Sequence, residues 1–180
     1  MRLFLAVDLP NDLKTYLASL KLPKAEGKTS WVKPGLMHIT LKFLGEIADG
    51  RTNDLISRLN SVAFQSFNLV LNHLGFFPSA SHPKILWVNF IDAVALKKLS
   101  DKINAALPEF KDNHLFSDHV TLARLKQISE ADGKTIVEAS QKCVLEKKEF
   151  YVDSFVLYKS VLLSSGPEYS VLKRFSCRVS

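Results

Sequence analysis

Two short segments of this 180-residue chain carry residue types suited to moving protons. His38-Ile39-Thr40-Leu41 and His119-Val120-Thr121-Leu122 repeat one pattern, 81 positions apart (119 − 38). Each sits in a run rich in β-branched and aromatic residues, Met37 to Phe43 and Phe116 to Ala123, that reads as a strand. Side chains alternate faces along a strand, so His38 and Thr40 point one way while Ile39 and Leu41 point the other. His119 and Thr121 separate from Val120 and Leu122 in the same manner. One face of each strand is apolar, and the other holds an imidazole beside a hydroxyl. Histidine titrates near neutrality, so one of two facing imidazoles can hold a proton while the other lacks one. Around a cyclic phosphodiester such a pair can divide the labour. The neutral ring takes a proton from water and the protonated ring delivers one to the departing ribose oxygen. Threonine hydroxyls on the same faces can donate to the non-bridging phosphate oxygens. The scheme needs no metal and no cofactor.

The repeat extends beyond the tetrapeptides, which makes it an internal duplication rather than a chance match. After the first motif come a turn-rich Glu46 to Gly50, a helical stretch from about Asn53 to Phe64, and Phe67-Asn68-Leu69-Val70-Leu71. After the second come Gln127 to Gly133, a helical stretch to about Ser140, and Phe150-Tyr151-Val152. The strand starts fall 29 residues (67 − 38) and 31 residues (150 − 119) beyond their histidines. Each half then continues into another apolar strand, Lys84 to Phe90 and Tyr169 to Val179. Arg2 to Leu9 reads as a strand, and Asp12 to Leu22 and Asp92 to Leu107 read as helices. Phe67–Leu71 with Lys84–Phe90, and Phe150–Lys159 with Tyr169–Val179, have the look of hairpins. The expected fold class is therefore α+β with mainly antiparallel sheet and flanking helices.

Bulk properties narrow the reading. The chain has no stretch resembling a linker, so residues 1–180 are expected to form one domain with two similar lobes. No apolar run approaches a membrane span, and Leu3 to Val7 is too short for a signal segment. Cys143 and Cys177 are too few for a disulfide framework and lack metal-ligand spacing, which suggests a reducing, cytoplasmic setting. Oligomeric state is left open, with monomer as the default. The net charge of +6 favours polyanionic partners, RNA ends or small cyclic nucleotides among them. A metal site is disfavoured, because His73, His82 and His114 share no ligand spacing; His82 and His114 read as surface residues. No Gly-x-Ser-x-Gly elbow, catalytic cysteine context or phosphate-cradling glycine loop is present.

The paired strands resemble those of the two-histidine phosphoesterase superfamily, and within it the LigT-like, or 2′-5′ RNA ligase, family of bacterial and archaeal RNA 2′,3′-cyclic phosphodiesterases. The likeness runs through Arg2-Leu3-Phe4-Leu5-Ala6-Val7, Trp31-Val32-Lys33-Pro34 and His38-Ile39-Thr40-Leu41-Lys42-Phe43-Leu44-Gly45. It continues in Phe76-Phe77-Pro78, Ile85-Leu86-Trp87-Val88, His119-Val120-Thr121-Leu122-Ala123-Arg124 and Leu157-Tyr158-Lys159-Ser160 with Tyr169. The resemblance implies two pseudo-symmetric α+β lobes facing each other across a cleft, and hydrolysis of a 2′,3′-cyclic phosphate end to a 2′-phosphate. It implies His38 as proton donor, His119 as proton acceptor, and Thr40 and Thr121 as phosphate holders. Without it, the near-symmetric halves leave the two histidine roles open.

Around the four, Phe43 and Arg124 stand five residues beyond their histidines, where the family can place the terminal base. Both types can stack on a nucleobase. An odd offset puts them on the wrong face of a regular strand, so each requires the strand to end or twist. Core packing competes for Phe43. Lys42 is read as a solvated strand-edge residue, Trp31 and Trp87 as core, and Tyr169 as a weaker cleft candidate. Asp118 replaces the proline usual before the second histidine in the family. It is expected to point away from His119, or to raise the pKa of that ring if the backbone bends. Two other readings stand beside hydrolysis: 2′-5′ ligation with a ribose hydroxyl in place of water, and nucleotide binding without turnover.

Overall fold

Short β-branched and aromatic runs form nine strands, and the amphipathic segments between them form four α-helices. This holds for residues 1–20, 22–23, 29–110 and 116–178, which the computed structural model describes. The first part of the chain supplies β1 (Arg2–Asp8), α1 (Asn11–Ser19), β2 (Thr29–Trp31), β3 (His38–Glu46), α2 (Thr52–Leu59) and β4 (Phe67–Ser79). The rest supplies β5 (His82–Ile91), α3 (Val94–Ala106), β6 (His119–Leu125), α4 (Glu130–Lys142), β7 (Glu149–Val152), β8 (Ser154–Leu163) and β9 (Gly166–Ser176). Every pairing is antiparallel, in one sheet of order β7-β4-β5-β6-β3-β1-β8-β9 with β2 also on β6. The α+β class and both hairpins, β4 with β5 and β8 with β9, agree with the sequence expectation.

This order matches itself from the two edges when β6 is set against β3, β5 against β1, β4 against β8 and β7 against β9. The duplicated unit is β1-α1-β3-α2-β4 followed by β5-α3-β6-α4-β8. Each round ends by crossing into the other half, so β4 pairs with β5 and β8 pairs with β1. The residue spacing suggested Phe150 as the counterpart of Phe67, and Tyr169–Val179 as that of Lys84–Phe90. The sheet instead makes Ser154–Leu163 the counterpart of β4, and β1 that of β5. The run Phe150–Lys159 breaks at Asp153, sending β7 to the edge beside β4 and β8 to β1. Spacing along a chain records the order of elements, not the neighbour each strand bonds to.

The helices bury their apolar sides in a single cluster. Leu13 and Leu17 of α1, Leu55 and Leu59 of α2, Leu99 and Ile103 of α3 and Ile136 of α4 meet Leu5, Val7, Ile39, Val120 and Leu122 of the strands. The other face of β1 and β8 carries a small cluster without any helical member, Phe4, Ala6, Val156 and Tyr158. Cys143 and Cys177 are unpaired. Among the described residues no helix is long and apolar enough to cross a membrane.

Both motif strands bulge at the same place. The ladder runs from Ala6↔Thr40 to Leu5↔Lys42, skipping Leu41, and from Trp87↔Thr121 to Leu86↔Ala123, skipping Leu122. One inserted residue shifts the alternation by one. Phe43 and Arg124 thereby return to the histidine face despite their odd offset. Lys42 turns to the helix side, where it is 2% exposed and its ammonium donates to Asn104 Oδ1 of α3 at 2.5 Å. It is not the solvated strand-edge residue that simple alternation suggests.

Gly75 of β4 lies across the ladder from Trp87, and a Cβ there would fall 2.2 Å from the indole. Gly75→Ala must therefore displace that ring, at an expected cost of about 1–3 kcal/mol. The loss is read as a lower urea midpoint at unchanged slope; an unmoved midpoint would mean that the ring yields freely.

Candidate active site

The two motif strands share one ladder pair, Ile39↔Val120, and both of these residues are fully buried on the helix side. Continuing that register places His38 across from Thr121 and Thr40 across from His119. All four side chains lie on the face opposite the helices, and all four are half-buried. Because the strands run antiparallel, the imidazoles sit diagonally across the gap, each facing the other strand's threonine. A group held between them meets one ring on each side.

Each ring is oriented by its own backbone. His38 Nδ1 donates to the carbonyl of Leu36 at 2.7 Å, and His119 Nδ1 donates to the carbonyl of Ser117 at 3.0 Å. A carbonyl only accepts, so both Nδ1 atoms carry the hydrogen and both Nε2 atoms are left for another partner. Burial pushes both imidazoles below the ordinary histidine pKa. Their backbone hydrogen bonds oppose this shift, and a charge on His119 further disfavours one on His38. Asp8 and Lys14 act on His38 in opposite senses, the first favouring and the second opposing its proton. Asp118 and Arg124 do the same at His119. Asp118 does pull the His119 pKa upward, as expected of a nearby carboxylate, but the cost of burial is larger and the net shift is downward. Its carboxylate accepts the Phe90 N–H at 3.3 Å.

Aromatic rings wall the site on both flanks. His38 lies 5.0 Å from Phe4, 5.4 Å from Tyr169 and 6.5 Å from Tyr158, between ring centroids. His119 lies 4.9 Å from Phe77 and 6.5 Å from Trp87. Burial and the neighbouring Asp8 push the Tyr158 phenol up to about 12, which keeps it a neutral donor. Asp8, cross-strand from His38, is held by Lys14 at 2.6 Å and Arg174 at 3.6 Å. Phe4, Tyr158 and Phe77 were not legible as site residues, since each sits in an apolar run like those that fill the core. Trp87 departs from its sequence reading. It is half-buried on the site face, whereas Trp31 packs on the main core as expected.

Phe43 is 54% exposed, which sets aside core packing, and its ring lies 6.2 Å from Phe4. Arg124 is exposed, and its charge reaches both His119 and Tyr169. Five residues along antiparallel strands lead in opposite directions, so the two backbone positions flank the four-residue cluster on opposite sides. His73 and His82 are exposed, His73 with its ring edge-on to Trp87. His114 falls outside the described residues. Among those residues no group of three or more His, Cys, Asp or Glu is placed to hold a metal.

Residues 3–87 and 92–169 match the family described as LigT like Phosphoesterase. An Archaeoglobus fulgidus protein named RNA 2′,3′-cyclic phosphodiesterase is 29% identical over 178 residues, spanning 97% of this chain and 99% of its own. A Thermus thermophilus protein of the same name is 30% identical over 191 residues, spanning 99% and 91%. Among solved structures, TT0787 of Thermus thermophilus has a TM-score of 0.78 at 26% identity, covering 99% of this chain and 98% of that one. E. coli LigT, solved in complex with 3′-AMP, has a TM-score of 0.73 at 24% identity, covering 98% and 97%, and speaks for the fold. With nearly its whole length matched and both His-Thr strands inside the matched residues, the chain belongs to the LigT-like phosphoesterase family.

Proposed function

We propose that the protein opens the 2′,3′-cyclic phosphate at an RNA end, leaving a 2′-phosphate and a free 3′-hydroxyl, by acid–base catalysis at its two histidines. The observation that carries this reading is the diagonal pair of imidazoles, each with Nδ1 tied to backbone and Nε2 free, each across from a threonine. In-line displacement at phosphorus needs a base on the side of the incoming water and an acid on the side of the leaving oxygen. The diagonal supplies both.

His119 Nε2 takes a proton from water as its oxygen bonds to phosphorus. The bond from phosphorus to the 3′-oxygen breaks, and His38 Nε2–H protonates that oxygen. The Thr40 and Thr121 hydroxyls donate to the non-bridging oxygens, where charge builds in the transition state. Exchange with solvent then restores the starting protonation. The assignment of acid and base follows the family resemblance, since the geometry treats the rings alike. Mutual repulsion supports one proton shared by two rings, the state the reaction uses. Phe43 and Arg124 offer surfaces for the base without reading its identity. The scheme routes every proton through the chain's own side chains and water.

His38→Ala and His119→Ala should each lower kcat by about 10²–10⁴-fold, with circular dichroism and thermal midpoint close to those of the parent. Full activity in either variant would end the two-histidine mechanism. The pH profile of kcat/KM, which reports the free enzyme, should be bell-shaped. Both imidazoles lie below the ordinary value near 6.5, so the singly protonated pair is most populated below about pH 6.5. Activity should fall as pH rises through the upper limb and the last shared proton is lost. An optimum at pH 8 or above would contradict this.

A further inference from the structure

The flank beyond His119 holds a ring that the phosphate chemistry leaves unused. Trp87 pairs with Thr121 across the ladder, so both face the site, and its ring centroid is 6.5 Å from the His119 ring. Phe77 leans on it at 5.2 Å and also touches His119 at 4.9 Å. The indole occupies the space that a side chain on Gly75 would fill, so β4 is hollowed to seat it. Its counterpart in the other half is Ala6, paired with Val156, whose small side chain fills no such seat; the rings on that flank come from Phe4 and Tyr158 instead. The seat is therefore a feature of one flank and not a consequence of the duplicated fold. The indole N–H is buried and has no hydrogen-bond partner. A phenylalanine would avoid that cost, and the larger π face is what the indole adds.

We infer that Trp87, backed by Phe77, is the stacking platform for a second nucleobase, that of the nucleotide adjoining the cyclic end. This rests on the proposed reaction, and it narrows the substrate class: RNA ends of two or more nucleotides over cyclic mononucleotides. In the proposed reaction the terminal nucleoside lies on the His38 side, where its 3′-oxygen leaves, and the Trp87 ring on the His119 flank stands apart from it as a surface for a second base. Stacking on an aromatic face is indifferent to base identity, as suits an enzyme for RNA ends of mixed sequence.

The chain has two tryptophans, so Trp31→Phe leaves Trp87 as the sole indole reporter. Titrating that protein with a diadenylate ending in 2′-phosphate should quench its emission, while adenosine 2′-phosphate should leave it nearly unchanged. In kinetics, Trp87→Leu should lower the ratio of kcat/KM for the cyclic-ended dinucleotide to that for the cyclic mononucleotide by about tenfold. Trp87→Phe, which keeps an aromatic face, should recover part of that ratio. Equal quenching by both nucleotides, or an unchanged ratio in both variants, would overturn the second-base platform. If wild-type protein turned over neither cyclic substrate, the proposed reaction would fail. The quenching comparison would still decide the role of Trp87.

Discussion

One backbone pairing, Ile39 against Val120, holds the arrangement of the site. Both residues are fully buried in the core under the helices. Burying them fixes the phase of both strands at once, because a slip of one residue in either would exchange its faces. His38, Thr40, His119 and Thr121 would then lie against the helices. The hydrophobic effect thus sets the active-site register without touching the active site. The antiparallel sense of that pair creates the diagonal of imidazoles on which the proposed in-line chemistry rests.

The sheet's local two-fold explains why each side of the candidate site is built from the same parts. Each histidine donates Nδ1–H to the carbonyl two residues upstream, and each motif strand bulges one residue after its threonine. Burial lowers the proton affinity of both rings, and each retains a nearby carboxylate that partly offsets the effect. The net effect is downward for both, with burial the largest cause. The halves differ in their walls, Phe4 with Tyr158 and Tyr169 on one side and Phe77 with Trp87 on the other. A symmetric core of four residues thus sits between unlike walls.

Much of this was legible in the residue pattern, and the exceptions have identifiable causes. Period-two alternation located the His-Thr strands and their shared face, because the pattern depends only on the strand itself. The bulges at Leu41 and Leu122 left no local mark, since a bulge is defined by the partner strand that it slips against. They carry Phe43 and Arg124 onto the site face, and the one at Leu41 turns Lys42 inward. The crossing of β4 and β8 between halves was hidden for a related reason: spacing is preserved whichever edge a strand joins. Trp31 and Trp87 were both read as core, and only the assembled sheet, which puts Trp87 opposite Gly75 on the site face, sets them apart. At His119, the carboxylate of Asp118 was visible in the chain, while the burial that outweighs it is a property of the assembled sheet.

The central claim is that two histidines and water suffice to open a cyclic phosphate in one direction. The most direct test is to incubate the purified protein with an oligoribonucleotide ending in 2′,3′-cyclic phosphate, in excess EDTA, and identify the product end. Complete conversion to a 2′-phosphate is the expected result. A 3′-phosphate product, or ring opening only after a divalent metal is restored, would contradict the account.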